Sequence, residues 1–245
     1  MKRVDGRRAD EPRPCLITPS FLRNAEGSAL IEIGETKVIC AATLEERVPP
    51  FLKGKGSGWV TAEYGMLPRS SLERIPREAA RGKVSGRTQE IQRLIGRSLR
   101  AIIDLSRLGE RTVWIDCDVL QADGGTRTAS ISGAFVALAL VLKAAVRDGA
   151  MAALPIRDYV AATSVGVVER NILLDLNYRE DARAEVDMNI VMTGQGNLIE
   201  VQGTAESSPF SQDVLLQMVK LAAEGVDEIV ARQREVLGKL ELVKS

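Results

Sequence analysis

The 245 residues include no histidine. That absence removes a Ser-His-Asp triad, a Cys-His pair, an HExxH zinc site and any mechanism built on paired imidazoles. A general acid or base must then be a carboxylate, Lys, Tyr, Cys or a metal-bound water. Aromatic residues are scarce, at 4%, which argues against an extended base-stacking platform. Only three cysteines occur, Cys15, Cys40 and Cys117. They have no CxxC spacing, and an odd, scattered set fits a reducing compartment better than a disulfide framework. Cys40 and Cys117 lie inside apolar runs and are expected to be buried thiols. Met1 to Asp10 is charged and lacks the apolar core of a signal peptide. The most apolar helix candidate, Gly133 to Leu142, is ten residues long, about half of the roughly 20 that a membrane span needs. The expectation is a soluble, cytoplasmic protein without a membrane partner.

The chain is not short of anything a core needs. Hydrophobic residues make up 45% and charged residues 27%, so one large domain or two small ones can be built. Ser28 to Ile33 and Thr36 to Thr43 are β-rich runs around Gly34-Glu35, a hairpin signal. Val48 to Gly58, with two Pro and three Gly, predicts an exposed, mobile loop. Trp59 to Tyr64 follows as a strand. Ser85 to Asp104 reads as a helix with Ser85 as N-cap. Its apolar stripe is Ile91, Leu94, Ile95, Leu99, Ile102 and Ile103, with Arg93, Arg97 and Arg100 elsewhere on its surface.

Arg111 to Val119 is a strand that runs into Gln121-Ala-Asp-Gly-Gly-Thr-Arg127 and a long helix ending near Arg147. Beyond Pro155, strands are expected at Tyr159 to Glu169, Asn171 to Leu176, Val186 to Met192 and Leu198 to Val201, the last two joined as a hairpin around Gly194-Gln-Gly196. A helix from about Ser211 to Leu240 closes the order. Strands, helix, strand, helix, strands, helix predicts an α+β fold, helices packed on largely antiparallel or mixed sheets. Residues 1–245 are expected to form one compact domain, with a possible internal two-fold resemblance between its halves.

The formal net charge is zero, but the signs are segregated. Arg69 to Arg100 holds nine basic residues (Arg69, Arg74, Arg77, Arg81, Lys83, Arg87, Arg93, Arg97 and Arg100) against three Glu, a net of +6. Eight of the nine are Arg, whose planar fork suits phosphate. Surface ion pairing would also account for such a run, but the loop from Arg69 to Lys83 is well suited to tracking a nucleic-acid backbone. Asn171 to Phe210 has seven acids against two Arg, a net of −5.

Three elements carry chemistry. Gly124-Gly-Thr-Arg-Thr-Ala-Ser130 stands at a strand-to-helix junction. Its glycines allow close backbone approach, Thr126, Thr128 and Ser130 bring hydroxyls, and the helix start brings unpaired N–H groups beside Arg127. This is a site for phosphate, though neither a P-loop nor a dinucleotide fingerprint; a purely structural Gly-Gly turn is the plainer reading of the motif alone. Ser85-Gly-Arg-Thr88 repeats the idea, and the two could converge on one anion. Asp175, Asp181 and Asp187 are evenly spaced. A hairpin turning near Asp181 would set Asp175 opposite Asp187, an arrangement that is costly unless the carboxylates bind a divalent cation or hold a proton. Glu180 and Glu185 read as acids that solubilise a turn.

Assembled, these residues resemble the ribonuclease PH family of phosphate-dependent 3′ exoribonucleases. The likeness runs from Asp5-Gly-Arg-Arg8 through Ser85 to Arg97, Asp123 to Ser130 and Ala184-Glu-Val-Asp-Met-Asn189, and on to Glu200-Val-Gln-Gly-Thr-Ala-Glu206 and the last helix, nearly the whole chain. It implies a β-α-β fold related to the ribosomal-protein domain-2-like fold, and a homo-hexamer that is a trimer of dimers. Gly125, Thr126 and Arg127, helped by Arg87, would hold the attacking phosphate. Asp181 and Asp187 would be the active-site carboxylates and the ligands of Mg²⁺ or another divalent cation. Arg69, Arg74 and Arg77 would hold transfer-RNA precursor 3′ ends or other structured RNA. Ala182 departs from relatives that carry a small hydroxyl there, which puts one local hydrogen bond in question. The implied reaction is attack by inorganic phosphate on the last phosphodiester, releasing a nucleoside 5′-diphosphate, and it is reversible. A non-catalytic RNA-binding ring subunit and a metal-dependent hydrolytic RNase are the alternatives.

Overall fold

The computed structural model describes residues 3–243, apart from the side chain of Arg81. Two sheets enclose one long helix. The first has the order β1-β2-β3-β5-β4, built from β1 (Cys15–Pro19), β2 (Gly27–Ile33), β3 (Thr36–Glu45), β4 (Trp59–Met66) and β5 (Thr112–Gln121). Its neighbours are antiparallel except β4 and β5, which run parallel with Trp59 beside Thr112. That parallel pair needs a crossover, supplied by α1 (Gly86–Ala101) and the one-turn α2 (Leu105–Leu108). The second sheet has the order β7-β6-β8-β9, from β6 (Val160–Val168), β7 (Asn171–Leu174), β8 (Val186–Thr193) and β9 (Leu198–Ala205), and is antiparallel throughout. The α+β class and the mixed sheets are those expected.

Helix α3 (Thr126–Arg147) lies between the sheets, touching β2, β3 and β5 on one side and β6 on the other. Ala129, Ile131, Phe135 and Leu138 are fully buried. A helix covered on both sides needs no polar face, which is why this stretch reads apolar all round. At 22 residues it is long and apolar enough to cross a membrane by length and composition. The ten-residue run seen in the sequence understated it, and its burial in the core is what accounts for its composition. Gly133 permits the close packing: a Cβ there would stand 2.7 Å from Ile31 Cγ2 and 2.9 Å from Cys40 Sγ. Helix α5 (Gln212–Leu237) covers β6 and β1.

The stripe of α1 faces the core, and Ser85 Oγ accepts from Thr88 N–H (3.2 Å), the expected cap. The helix stops at Ala101; Ile102 and Ile103 leave it, and Ile103 bridges to Ile156. The loop before β4 is exposed as expected and is anchored by Phe51, whose ring meets Trp59 edge-on at 5.4 Å. Strand β1 and the one-turn α4 (Tyr178–Asp181) have no periodic signature in the sequence. Cys40 and Cys117 are register partners and buried, and all three thiols are free.

Candidate active site

The site lies where β5 hands over to α3 and where α4 crosses that junction. Gly125, in the left-handed region at φ 66°, precedes the first turn of α3, and no side chain caps it. The first N–H groups of the helix are therefore open, with partial positive charge. Gly124 has φ 76°, and a Cβ there would lie 2.5 Å from Leu176 O and 2.9 Å from Tyr178 N. Gly124 thus lets the segment before α4 close against the start of α3. Tyr178 N–H donates to Asp123 Oδ1 (3.2 Å), fixing the contact.

Opposite stand the 67–75 loop and the start of α1. Ala122 N–H donates to Ser70 O (2.8 Å), tying that loop to the end of β5. The walls enclose a cavity of about 440 Å³ lined by Arg87, Gly125, Thr126, Arg127, Asp181 and Asp187. The two helix-start elements do converge. Arg127 is oriented by Gln202 Oε1 (3.3 Å) and Glu90 Oε1 (3.5 Å), while Arg87 is exposed at the rim. Thr126 Oγ1 pairs with Tyr64 Oη (2.9 Å). Thr128 and Ser130 do not contribute hydroxyls, contrary to expectation: each is buried and donates back to its own helix, Thr128 to Gly125 O and Ser130 to Thr126 O.

The carboxylates are held unlike a simple hairpin. Strand β6 lies between β7 and β8, so Asp175 does not face Asp187, whose register partners are Gly166 and Thr204. Asp175 instead lies buried in the ion-pair core beneath the site, at φ 53°. Its Oδ2 accepts from Arg13 Nε (2.8 Å) and its Oδ1 from Arg13 Nη2 (2.7 Å). Glu180 is not a solubilising acid either. It is 2% exposed, accepts two hydrogen bonds from Arg3 (2.8 and 2.7 Å), and closes a capping box with Asn177 at the start of α4. Glu185 does lie at the surface of its turn, accepting from Arg170 N–H. Ala182 ends α4 through a backbone bond to Tyr178 O (3.0 Å), so the turn closes without a side-chain hydroxyl.

Asp187 has its carboxyl pushed up to about 6, by burial first and then by the charge of Asp181, with Arg127 pulling the other way. Asp181 is also raised by burial, opposed by Arg127 and Arg87. The surface of Asp181 is open to solvent, but the concave wall around its carboxyl displaces enough water to disfavour ionisation. Two carboxylates beside two guanidiniums give the cavity acid chemistry at one end and an anion cradle at the other. Among the described residues no group of three His, Cys, Asp or Glu could hold a metal. Two carboxylates suit Mg²⁺, which keeps several waters and takes its remaining ligands from a substrate phosphate.

Arg69, Arg74 and Arg77 are exposed on the loop that roofs the site, and none forms an ion pair among the described residues. Arg69 lines an adjoining groove, whereas Arg74 and Arg77 line neither concavity. Arg97 and Arg100 are spent elsewhere: Arg97 pairs with Glu200 (2.6 Å), and Arg100 lies over the Trp59 ring. Arg3, Arg13, Tyr64 and Tyr178, which build or orient the site, carried no motif in the sequence, whereas Gln202 lay in the Glu200–Glu206 stretch without a role assigned to it.

Two models of the 3′ exoribonuclease family match the chain, domain 1 over residues 11–143 and domain 2 over residues 158–225. Ribonuclease PH of Moorella thermoacetica is 58% identical over 240 residues, 98% of this chain and 96% of that protein. Ribonuclease PH of Bacillus mycoides is 57% identical over 239 residues, 97% of this chain and 98% of that one. In architecture, the Archaeoglobus fulgidus exosome with RNA bound to its active site matches with a TM-score of 0.81 at 23% identity, over 94% of this chain and 92% of that one. Rice Rrp46 matches at 0.77 and 19%, over 96% of this chain and 100% of that one.

Proposed function

The chain belongs to the 3′ exoribonuclease family, and on that premise we infer what each wall of its cavity does. The activity is phosphorolytic 3′-to-5′ exoribonucleolysis, a phosphate-dependent nucleotidyl transfer. One observation carries the assignment of residues: an uncapped helix start with Arg87 and Arg127 shares a cavity with two carboxylates of raised pKa. Inorganic phosphate, the co-substrate, sits on the N–H groups at Gly125, Thr126 and Arg127, its charge offset by Arg127 and Arg87. It attacks the phosphorus of the last phosphodiester of a transfer-RNA precursor, and the 3′-oxygen of the preceding nucleotide leaves. Charge that builds on the phosphoryl oxygens is met by the same guanidiniums.

Asp187, near half-protonated at pH 6, is matched to giving its proton to the leaving oxygen, and Asp181 keeps that pKa high. With Mg²⁺ bound, Asp181 and Asp187 would instead be ionised and hold the ion, which would stabilise negative charge on the transferred phosphoryl group. Because a phosphoanhydride replaces a phosphodiester, the reaction runs readily in reverse. Arg69, Arg74 and Arg77 track the RNA backbone. A two-metal hydrolytic centre finds too few ligands among the described residues, and a non-catalytic role leaves the converged Arg and Asp pairs without a purpose.

Free thiols at Cys40 and Cys117, side by side yet unbridged, support a cytoplasmic setting. Exposed Leu16, Phe21, Leu22 and Trp114 on the first sheet and its edge support assembly of a homo-hexamer, a trimer of dimers, which mass in solution checks. For the site, Arg127→Ala should cut diphosphate release from a transfer-RNA precursor by about 10²-fold or more and raise the KM for phosphate. Undiminished release, or equal release by the wild type without phosphate, overturns the assignment.

A further inference from the structure

A second concavity of about 380 Å³ adjoins the first. Ser71, Leu72, Ala122 and Tyr178 line both and form their common wall. Arg69 and Arg179 line only the second, and neither pairs with an acid among the described residues. Asp123, also there, is already engaged by Tyr178 N–H and lies 3.8 Å from Arg13, so the free charge of the groove is positive. On the shared wall Leu72 is 84% exposed and Tyr178 54% exposed. Among the described residues Tyr178 is the only aromatic lining either space, in a chain with just 4% aromatics. Its backbone is fixed by the bond to Asp123 and by the Asn177–Glu180 capping box.

We propose that this groove holds the penultimate nucleotide of the RNA, its base stacked on Tyr178 against Leu72 and its phosphate between Arg69 and Arg179. The proposal rests on phosphorolysis in the first cavity. Attack at the last phosphodiester leaves the terminal nucleotide inside that cavity, so the strand on its 5′ side leaves across one of its walls, and the wall shared with the groove is the one that carries an aromatic ring among the described residues. The groove has room for one nucleotide. Stacking tolerates every base, because each has a π face, which suits an enzyme that steps along a strand without choosing sequence. Two arginines without acid partners match the phosphodiester that follows.

The test uses two RNAs that differ only in an abasic penultimate position, with the full-length wild type, Tyr178→Ala and Tyr178→Phe. For Tyr178→Ala the KM for intact RNA is expected to rise roughly 5- to 100-fold, the range of base-aromatic stacking, while the KM for inorganic phosphate holds. Tyr178→Phe restores the value. The abasic RNA should be penalised by a similar factor on the wild type and not further on Tyr178→Ala. A binding titration of the same pairs in phosphate-free buffer reads the stacking apart from turnover. Equal abasic penalties in wild type and Tyr178→Ala, or an unchanged RNA affinity, overturn the proposal. If the wild type releases no diphosphate yet the titration shows the abasic effect lost in Tyr178→Ala, the phosphorolysis reading fails and the stacking subsite stands.

Discussion

Gly124→Ala is the substitution that most directly tests how the site is built. Gly124 has φ +76°, and a Cβ would stand 2.5 Å from Leu176 O, 2.8 Å from Asn177 C and 2.9 Å from Tyr178 N. All three are backbone atoms, so no side-chain rotation relieves the clash. Gly149 supplies the control, because its φ is +77° and nothing lies within 4 Å of its Cβ position. Left-handed backbone alone costs an alanine about 1–2 kcal/mol, and overpacking a close contact adds about 1–3 kcal/mol. Gly149→Ala is therefore expected to lose about 1–2 kcal/mol and Gly124→Ala about 2–5 kcal/mol in urea unfolding. Relief of the clash has to move residues 176–178, and with them Asp181 one turn later. A shift of about 1 Å in a reacting group lowers turnover by roughly 10²-fold. Phosphate-dependent diphosphate release should fall by that factor in Gly124→Ala and stay at the wild-type level in Gly149→Ala. Equal destabilisation of the two variants, or full activity in Gly124→Ala, would refute the claim that close backbone approach positions the carboxylate.

The raised pKa of Asp187 makes a stability prediction with a definite sign. The unfolded carboxyl ionises near pH 4, the folded one near 6, so native stability falls as pH rises through that window and the penalty is complete above it. Asp187→Asn should abolish turnover while RNA binding persists. In chelator and phosphate-free buffer it should also add about 1–2 kcal/mol of stability at pH 7.5, after discounting for solvent screening, and nothing at pH 3; a loss at pH 7.5 would contradict the burial argument. Arg3→Met leaves Glu180 in the interior with the Asn177 N–H and, as its one remaining ion-pair partner among the described residues, Arg7 at 3.6 Å, and should cost about 3 kcal/mol. Adding Glu180→Gln should recover part of that loss, as a double-mutant cycle would read. We propose that the chain unfolds as one cooperative unit, because the larger of its two apolar clusters joins both sheets through α3. Two separated calorimetric transitions would overturn this.

Much of the fold was legible because local signals were strong. Ser85 capped its helix, the Ile and Leu stripe of α1 faced the core, and the Gly34 and Gly194–Gly196 turns made the two hairpins expected of them. Strand β1 was missed because Cys15–Pro19 is short and sits on the sheet edge, where no two-sided burial imposes a pattern. The even spacing of Asp175, Asp181 and Asp187 misled for a related reason. It describes a hairpin only if β7 and β8 are neighbours, and β6 stands between them. Exposure of Glu180 could not be judged either, since its partner Arg3 lies 177 residues away.

From the sequence alone came the exclusion of imidazole chemistry, the segregated charge, the Gly-Gly-Thr-Arg helix start and the family likeness. These depend on residue type and short spacing, which a chain carries whether or not it is folded. Tertiary structure decided that Asp175 is part of an ion-pair core while Asp181 and Asp187 face the cavity, because burial and neighbouring charge, not identity, set what a carboxylate does. It also decided that Arg87 and Arg127 meet although 40 positions separate them, since the crossover through α1 brings one helix start to the other. The zero net charge resolves in the same way. Some arginines, such as Arg3 and Arg13, neutralise buried acids, and others, Arg69 and Arg179 among them, are left free at the mouth of the site.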